Sequence, residues 1–415
     1  MSISLADRAR RPAIRIRCFI GVAVTAFFVQ AIAFYEFAVK PSSGRWQQQD
    51  AFDFDVPLLI DGSTEVSQAV TEVLQAREHP HAGAKDENGN WGYVHDPTVL
   101  VHSPIPFSIP SKEFDKICAS PGEGDERQGG YKLLTEKVRV ANATHSGVKI
   151  FCAIYTYEEN DDRIIAIAET WGRRCDGFMA ASTFTNHSTG TVHIPHIGEE
   201  NYDGIWQKVR SMWAYMHDNF LEKYDFFHIC GDDTYVIVDN LRAFVEGERV
   251  INDGGGKGYP LPLYMGQWIM KDKNQSYFLG GGSGYTLNRA ALRLLVREAF
   301  PMCHPFTNSS QEDVLIAECM QQVAVFGYDA RDTAGEQRYL GSSPNFIYNF
   351  LPDLENDGYI GWWTKVTMGM PPKFELEAAS SESVAFHHIQ PGSMMRRVHK
   401  LLYHQNMSDC MGNGR

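Results

Sequence analysis

The chain has 415 residues, 43% hydrophobic and 21% charged, which supplies a full core and excludes a disordered protein. Its formal net charge of −13 argues against a nucleic-acid partner, which needs clustered Lys and Arg. A phosphate-bearing ligand would have to be met by a few local basic residues or by a cation.

The first predicted element is membranous. Arg8, Arg10, Arg11, Arg15 and Arg17 precede the apolar run "CFIGVAVTAFFVQAIAFYEFAV", residues 18–39, which is about the length that crosses a bilayer. Gln30 and Glu36 interrupt it, Glu36 near one end where an acid reaches the headgroups. The charge asymmetry predicts a cytosolic tail over 1–17, one transmembrane helix over 18–39 and a lumenal remainder. A cleaved signal peptide is the rival, but its apolar core is shorter and ends in small residues, which "FYEFAVKPSSGRW" lacks. Of eight cysteines only Cys18 lies at the membrane edge, so the others fall in an oxidising lumen. The lack of a C-x-x-C pair argues against a zinc site. Sequons at Asn142, Asn186, Asn274, Asn308 and Asn406 are compatible with a glycosylated lumenal chain.

Residues 40–147 are broken by turn formers ("HAGAKDENGNWG", "SPIPFSIPS", "SPGEGDERQGG"), which predicts a stem with short strands around "PTVLVH", or else a small separate domain. A catalytic domain is predicted over 148–405, followed by a tail over 406–415. "KIFCAIYT" has the length and composition of a buried strand, and "NDDRIIAIAETW" follows as a helix with Asn160 or Asp161 as N-cap. "GFMAAST" is a second buried strand. In "YDGIWQKVRSMWAYMHDNFLEKY", Ile205, Val209, Met212, Met216 and Phe220 share one helical face. Next come strand "FFHIC", a turn carrying Gly231, Asp232 and Asp233, strand "TYVIV", and a helix from about Asp239. "YMGQWIM" and the glycine-rich "FLGGGSGYTL" lead to the helix "RAALRLLVREAF", with Asn288 as N-cap. Such alternation predicts an α/β fold with a mainly parallel sheet covered on both faces. Ligands of such sheets bind beyond the carboxyl ends of the strands, where Asp232 and Asp233 fall.

Paired aspartates at a strand end are ordinary turn residues in one reading. The flanking Phe226, Phe227, Ile229, Val236 and Val238 favour another, because two desolvated carboxylates repel each other unless a cation holds them ionised. Mg²⁺ and Mn²⁺ accept carboxylate oxygens and keep positions open for phosphate oxygens. That chemistry suits sugar transfer from a nucleotide donor, whose leaving diphosphate must be stabilised.

Six ordered segments carry a family resemblance: "ETWGRRCD" (169–176), "GDDTYVIVDNLRAF" (231–244), "GGGSGYTLNRAAL" (280–292), "EDVLIAECM" (312–320), "DARDTAG" (329–335), and "AFHH" with the trailing "VHKLLYH" (385–404). From about residue 149 to 405 the chain resembles glycosyltransferase family 31, within it the core 1 β1,3-galactosyltransferases. The resemblance implies a GT-A type nucleotide-sugar-binding fold, Mn²⁺, UDP-galactose as donor, a glycoprotein or glycopeptide acceptor and a type II Golgi anchor. It puts the metal on Asp233 and His387, with Asp232 as a third metal residue near the ribose and a metal-bound water. His388 competes with His387 for the ligand role.

Asp313 matches the family's general base, the carboxylate that takes the acceptor proton during in-line inversion. Glu312 and Asp313 also read as first-turn helix acids behind a Ser310 cap. Gly281 and Gly282 would let the backbone approach the donor sugar. Thr156, Arg163 and Lys208 are donor candidates, with solvated surface charge the competing reading for Arg163 and Lys208. Trp362 and Trp363 are acceptor-stacking or core residues. The resemblance also pairs Cys152 with Cys175 and Cys303 with Cys319, each beside the active site. Cys118 and Cys410 are left to bridge each other or a second chain, which admits a homodimer, and Cys230 reads as a buried thiol.

Two departures matter. Gly231 stands where relatives carry a first acid, which implies weakened but surviving metal binding. Ala168 stands where relatives often carry a basic residue. A galactosyltransferase-like chaperone without catalysis and a fringe-like β1,3-N-acetylglucosaminyltransferase therefore stay open as alternatives. Retention of Asp313 with His387 favours an enzyme.

Overall fold

The structure is a computed structural model that describes residues 126–142, 147–186, 188–270, 277–350 and 373–403, all within one compact unit, Val73–Arg415. In chain order the first elements are α1 (Glu126–Lys132), β1 (Ile150–Tyr155), α2 (Asp161–Glu169), β2 (Gly177–Ser182), β3 (Thr191–His193) and α3 (Ile205–Phe220). The centre of the chain supplies β4 (Phe226–Gly231), β5 (Tyr235–Val236), α4 (Val238–Val245), α5 (Glu248–Asp253), β6 (Tyr264–Gly266), β7 (Trp268–Met270) and β8 (Tyr277–Leu279). Then follow β9 (Tyr285–Asn288), α6 (Arg289–Leu294), α7 (Glu312–Gln322), β10 (Gly327–Asp329), β11 (Tyr339–Leu340), α8 (Pro344–Asn349), β12 (Ala385–Phe386) and α9 (Gly392–Tyr403).

Seven strands form the central sheet in the order β10-β6-β9-β4-β1-β2-β3, with β9 antiparallel to its neighbours and the other pairs parallel. This mixed α/β arrangement fits a GT-A fold. Strand residues alternate between two buried faces. Phe151, Ala153, Phe227 and Ile229 pack beneath α3, whose Trp206, Val209, Met212, Trp213, Met216 and Phe220 are almost wholly buried. Ile150, Cys152, Ile154, Phe226 and Cys230 face the opposite core with α2, α4 and α9. Asn288 caps α6 as its position suggests, accepting from the Ala291 amide at 2.9 Å.

Several expectations shift. "TYVIV" yields only the two-residue β5, because the chain turns into α4 at Val238, where the Asn240 and Leu241 amides donate to Ile237 O. "YMGQWIM" divides at Gln267 into β6, which joins the large sheet, and β7, which pairs with β8. Residues 126–142, placed in the stem by sequence, pack on the folded body. The glycines of α1 abut Tyr348 and Asn345 of α8, and the Ala141 amide donates to Asn240 Oδ1 at 2.7 Å. Both expected disulfides, Cys152–Cys175 and Cys303–Cys319, are present, and Cys230 is a buried free thiol. Cys152 lies in the middle of β1, so its bridge braces the sheet rather than the site. The run 18–39, Cys118, Cys410, Asn274, Asn406, Trp362 and Trp363 lie outside the described residues. Among the described residues no helix is long and apolar enough to cross a membrane.

A small sheet, β11-β12-β5, decides which residues meet. β12 runs antiparallel to β5 with Phe386 opposite Tyr235. Continuing that register brings the two residues after Phe386 alongside Thr234 and Asp233, and the Ile389 amide donates to Asp233 O at 2.7 Å.

Candidate active site

β1 and β4 are parallel neighbours with Tyr155 opposite Gly231, so Thr156 and the two aspartates emerge together at the carboxyl edge. Here they border a cleft of about 530 Å³ lined by Arg163, Lys208, Gly281, Gly282, Asp313 and His387, among others. The buried Asp232 carboxylate is fully engaged. Thr156 Oγ1 and Asn160 Nδ2 each donate to Oδ2 at 2.7 Å, and Arg163 Nη1 donates to Oδ1 at 2.8 Å. Asn160 stands at the N-cap of α2 without making a capping bond, and its Nδ2 donates to Asp232 instead. Sequence reading assigned Asn160 only the cap; the signal it missed is a short polar residue just beyond a strand that ends beside an acid.

Asp233 faces the histidines. His387 Nε2 lies 3.2 Å from its Oδ1 and His388 Nδ1 3.5 Å from its Oδ2. One ligand atom from each of the three falls within 4.8 Å of the others. Two donors at right angles about a shared ion at ~2.1 Å stand ~3.0 Å apart, so the Asp233–His387 spacing fits a small divalent cation. Burial disfavours the Asp233 charge, but His387, His388 and Arg163 outweigh it and hold the carboxyl below its ordinary value. Asp232, a proposed third ligand, lies outside this cluster and spends its oxygens on the three donors above. A Cβ at Gly231 would lie 3.2 Å from both Asp233 Oδ1 and the Tyr155 ring, so an acid there would crowd the carboxylate that faces the histidines.

Across the cleft, Gly280–Gly284 forms the turn from β8 to β9, with Gly284 at φ +71°. No helix starts on these glycines. Their small size serves close packing: a Cβ at Gly281 would collide with the Glu312 carboxylate, and one at Gly282 would come within 2.5 Å of His387 Nδ1. The Gly281 amide donates to Asp313 Oδ2 at 2.8 Å and the Val314 amide to Oδ1 at 2.9 Å. Ser310 does not cap α7, whose N-cap is Gln311 without a side-chain bond; Asp313 occupies the first amides itself.

The acid pair is electrostatically divided. Burial, reinforced by Asp313, drives the Glu312 carboxyl well above its ordinary value, although Tyr285 OH donates to it at 2.8 Å. Asp313 is also raised by burial, but backbone amides oppose the shift. Two adjacent carboxyls then sit with Glu312 the more strongly neutral and Asp313 the better supported anion. A carboxyl with a raised folded pKa gives stability that is intact below its unfolded pKa and lost as pH rises through the folded one. Glu312→Gln, which mimics the neutral acid, is therefore expected to hold or raise the melting temperature, with a gain that grows as pH increases. Differential scanning calorimetry at several pH values checks this, and a large fall in melting temperature at neutral pH would contradict it.

Lys208 is buried rather than a solvated surface charge: its ammonium donates to Thr156 O and Glu200 Oε1. Burial lowers its pKa despite Glu200. Tyr202, 72% exposed, lines the cleft on the segment that leads into α3. Sequence reasoning passed over both Glu200 and Tyr202, because loop residues with no periodic partner carry no pattern.

No family model matches the chain. It is 26% identical over 272 residues to glycoprotein-N-acetylgalactosamine 3-beta-galactosyltransferase 1 of Xenopus laevis, an alignment covering 65% of this chain and 71% of that protein. It is also 27% identical to chondroitin sulfate synthase 3 of Mus musculus over 284 residues, covering 62% of this chain and 30% of the relative. For the Homo sapiens chondroitin sulfate synthase 3 the identity is 27% over 216 residues, 47% of this chain and 22% of the relative. The chain thus spans less than a third of either chondroitin sulfate synthase.

Proposed function

We infer that this chain, a glycosyltransferase resembling the core 1 β1,3-galactosyltransferases of family 31, moves galactose from UDP-galactose to N-acetylgalactosamine on a glycoprotein or glycopeptide, with inversion. The observation that carries the reading is the approach of Asp233 and His387, far apart in sequence, to 3.2 Å on the cleft that also exposes Asp313. Asp233 and His387 would hold a divalent cation, Mn²⁺ in this reading. When bound, that cation supplies positive charge for the departing diphosphate.

The chain's own groups account for the remaining roles. Asp313, fixed by the Gly281 and Val314 amides, accepts the acceptor hydroxyl proton as the new glycosidic bond forms. Arg163, held by Asp232, brings a cation to the donor side, and Thr156 sits beside it. Lys208, paired with Glu200 on the wall of the cleft, would exchange that partner for a phosphate oxygen of the donor. Backbone at Gly281 and Gly282 borders the same space, and Trp362 and Trp363 remain acceptor candidates. The disulfides support an oxidising lumen, in keeping with a type II Golgi protein anchored by residues 18–39.

A donor screen on the purified full-length chain tests the reading, with an N-acetylgalactosamine-bearing peptide, with and without Mn²⁺ and chelator. Galactose transfer that depends on Mn²⁺ is expected. A preference for UDP-N-acetylglucosamine would reassign the donor, and a folded chain inert with every donor would replace the enzyme by a chaperone.

A further inference from the structure

We propose that His388 is a third protein ligand, so that the centre is an Asp233–His387–His388 site that holds a first-row transition metal, Mn²⁺ included, in preference to Mg²⁺ and Ca²⁺. The proposal rests on the cation inferred above, but the resemblance that suggested it implies one histidine, not two.

Successive side chains of an extended strand point to opposite faces, so two neighbouring histidines ordinarily diverge. Here they converge. The rings lie 3.8 Å apart and stack at 29°, and each presents a nitrogen to a different oxygen of the same carboxylate. The backbone makes this possible by leaving the extended region at His388, where φ is +56°. A non-glycine residue in the left-handed region is uncommon, although histidine enters it more readily than most, and such conformations concentrate where a site requires them. The next amide, Ile389, donates to the backbone carbonyl of Asp233, so the same turn that reverses His388 is anchored on the residue whose carboxylate it faces.

Charge and vacancy agree with the assignment. Gly231 offers no carboxylate, and Asp232 is occupied by Thr156, Asn160 and Arg163. Asp233 is left as the single anion of the cluster, and a divalent ion bound by it and two neutral imidazoles keeps a net positive charge. That residual charge favours a diphosphate entering from the cleft. Imidazole nitrogens suit first-row transition metals, Mn²⁺ least and the later ones more, whereas Mg²⁺ and Ca²⁺ take oxygen. The side chain of His388 is 57% exposed, so its replacement leaves the core untouched.

The test is Mn²⁺ binding to the metal-free full-length chain, read by the electron paramagnetic resonance of free Mn²⁺, with Mg²⁺ as competitor. Pulsed measurements on the bound ion count imidazole nitrogens. The wild type is expected to show two nitrogens and to retain Mn²⁺ against a large excess of Mg²⁺. His388→Phe and His388→Ala should each show one nitrogen and bind Mn²⁺ at least about tenfold more weakly, the lower end of what even an outer partner of a ligand contributes. Two nitrogens in both variants, or one in the wild type, would overturn the proposal. If His387→Ala alone removes binding and the His388 variants match wild type, the third ligand falls while the cation at Asp233 and His387 stands. A wild type that takes up no Mn²⁺ would remove both.

Discussion

Asp313→Asn is expected to lower the transfer rate about 10³-fold, the middle of the range that a positioned general base contributes. The substitution keeps the shape of the side chain and an acceptor for one of the two amides that bind Asp313, those of Gly281 and Val314, while the other amide loses its oxygen; Mn²⁺ binding, which rests on Asp233 and His387, should survive. The wild-type rate should fall on the acid side through a limb set by Asp313. Burial raises that carboxyl, so the limb lies above the ordinary aspartate value: activity requires the anion and is lost as pH falls through the raised pKa. Single-turnover rates for wild type and variant across pH give the measurement. A variant that retains the wild-type rate and acid limb would show that another group takes the proton.

Asp233→Ala and His387→Ala form the second large prediction. Each removes one of two donors that lie 3.2 Å apart, and each should cost more than the 10–100-fold in Mn²⁺ affinity that loss of a mere outer partner brings. Transfer should fall by about 10² or more in either variant, and chelation of the wild type should mimic the loss until Mn²⁺ is restored. Isothermal titration with Mn²⁺ beside a transfer assay separates a binding defect from a chemical one. Unchanged Mn²⁺ affinity in both variants would move the cation elsewhere.

The sequence was informative where periodicity or chemistry repeats. The run Ile150–Tyr155, the helical face of α3 and the Asn288 cap were legible because strand and helix impose fixed spacings on apolar residues. Asp233 and His387 were nameable only through ordered motifs, since no local rule links residues so distant. Two failures have physical causes. For the donor candidate Lys208, solvated surface charge stayed a competing reading because a helical wheel cannot show that Glu200 folds over it from a loop. Asn160 looked like a cap because local rules price its helix position, whereas its tertiary neighbour Asp232 claims the side chain. The convergence of His387 and His388 was hidden for the same reason, as strand alternation predicts the reverse and only the left-handed backbone undoes it.

The pairing of β5 with β12 has a consequence for how the molecule is assembled. Two-residue strands join parts of the chain separated by roughly 150 positions, a closure whose entropy must be met before the contact repays it. During synthesis, β1, β4 and the Asp232 network are made well before the polypeptide bearing His387 leaves the ribosome. The Asp232 side of the cleft is therefore expected to acquire its shape first, and the meeting of Asp233 with His387 to arrive as a late event, when the last segment docks.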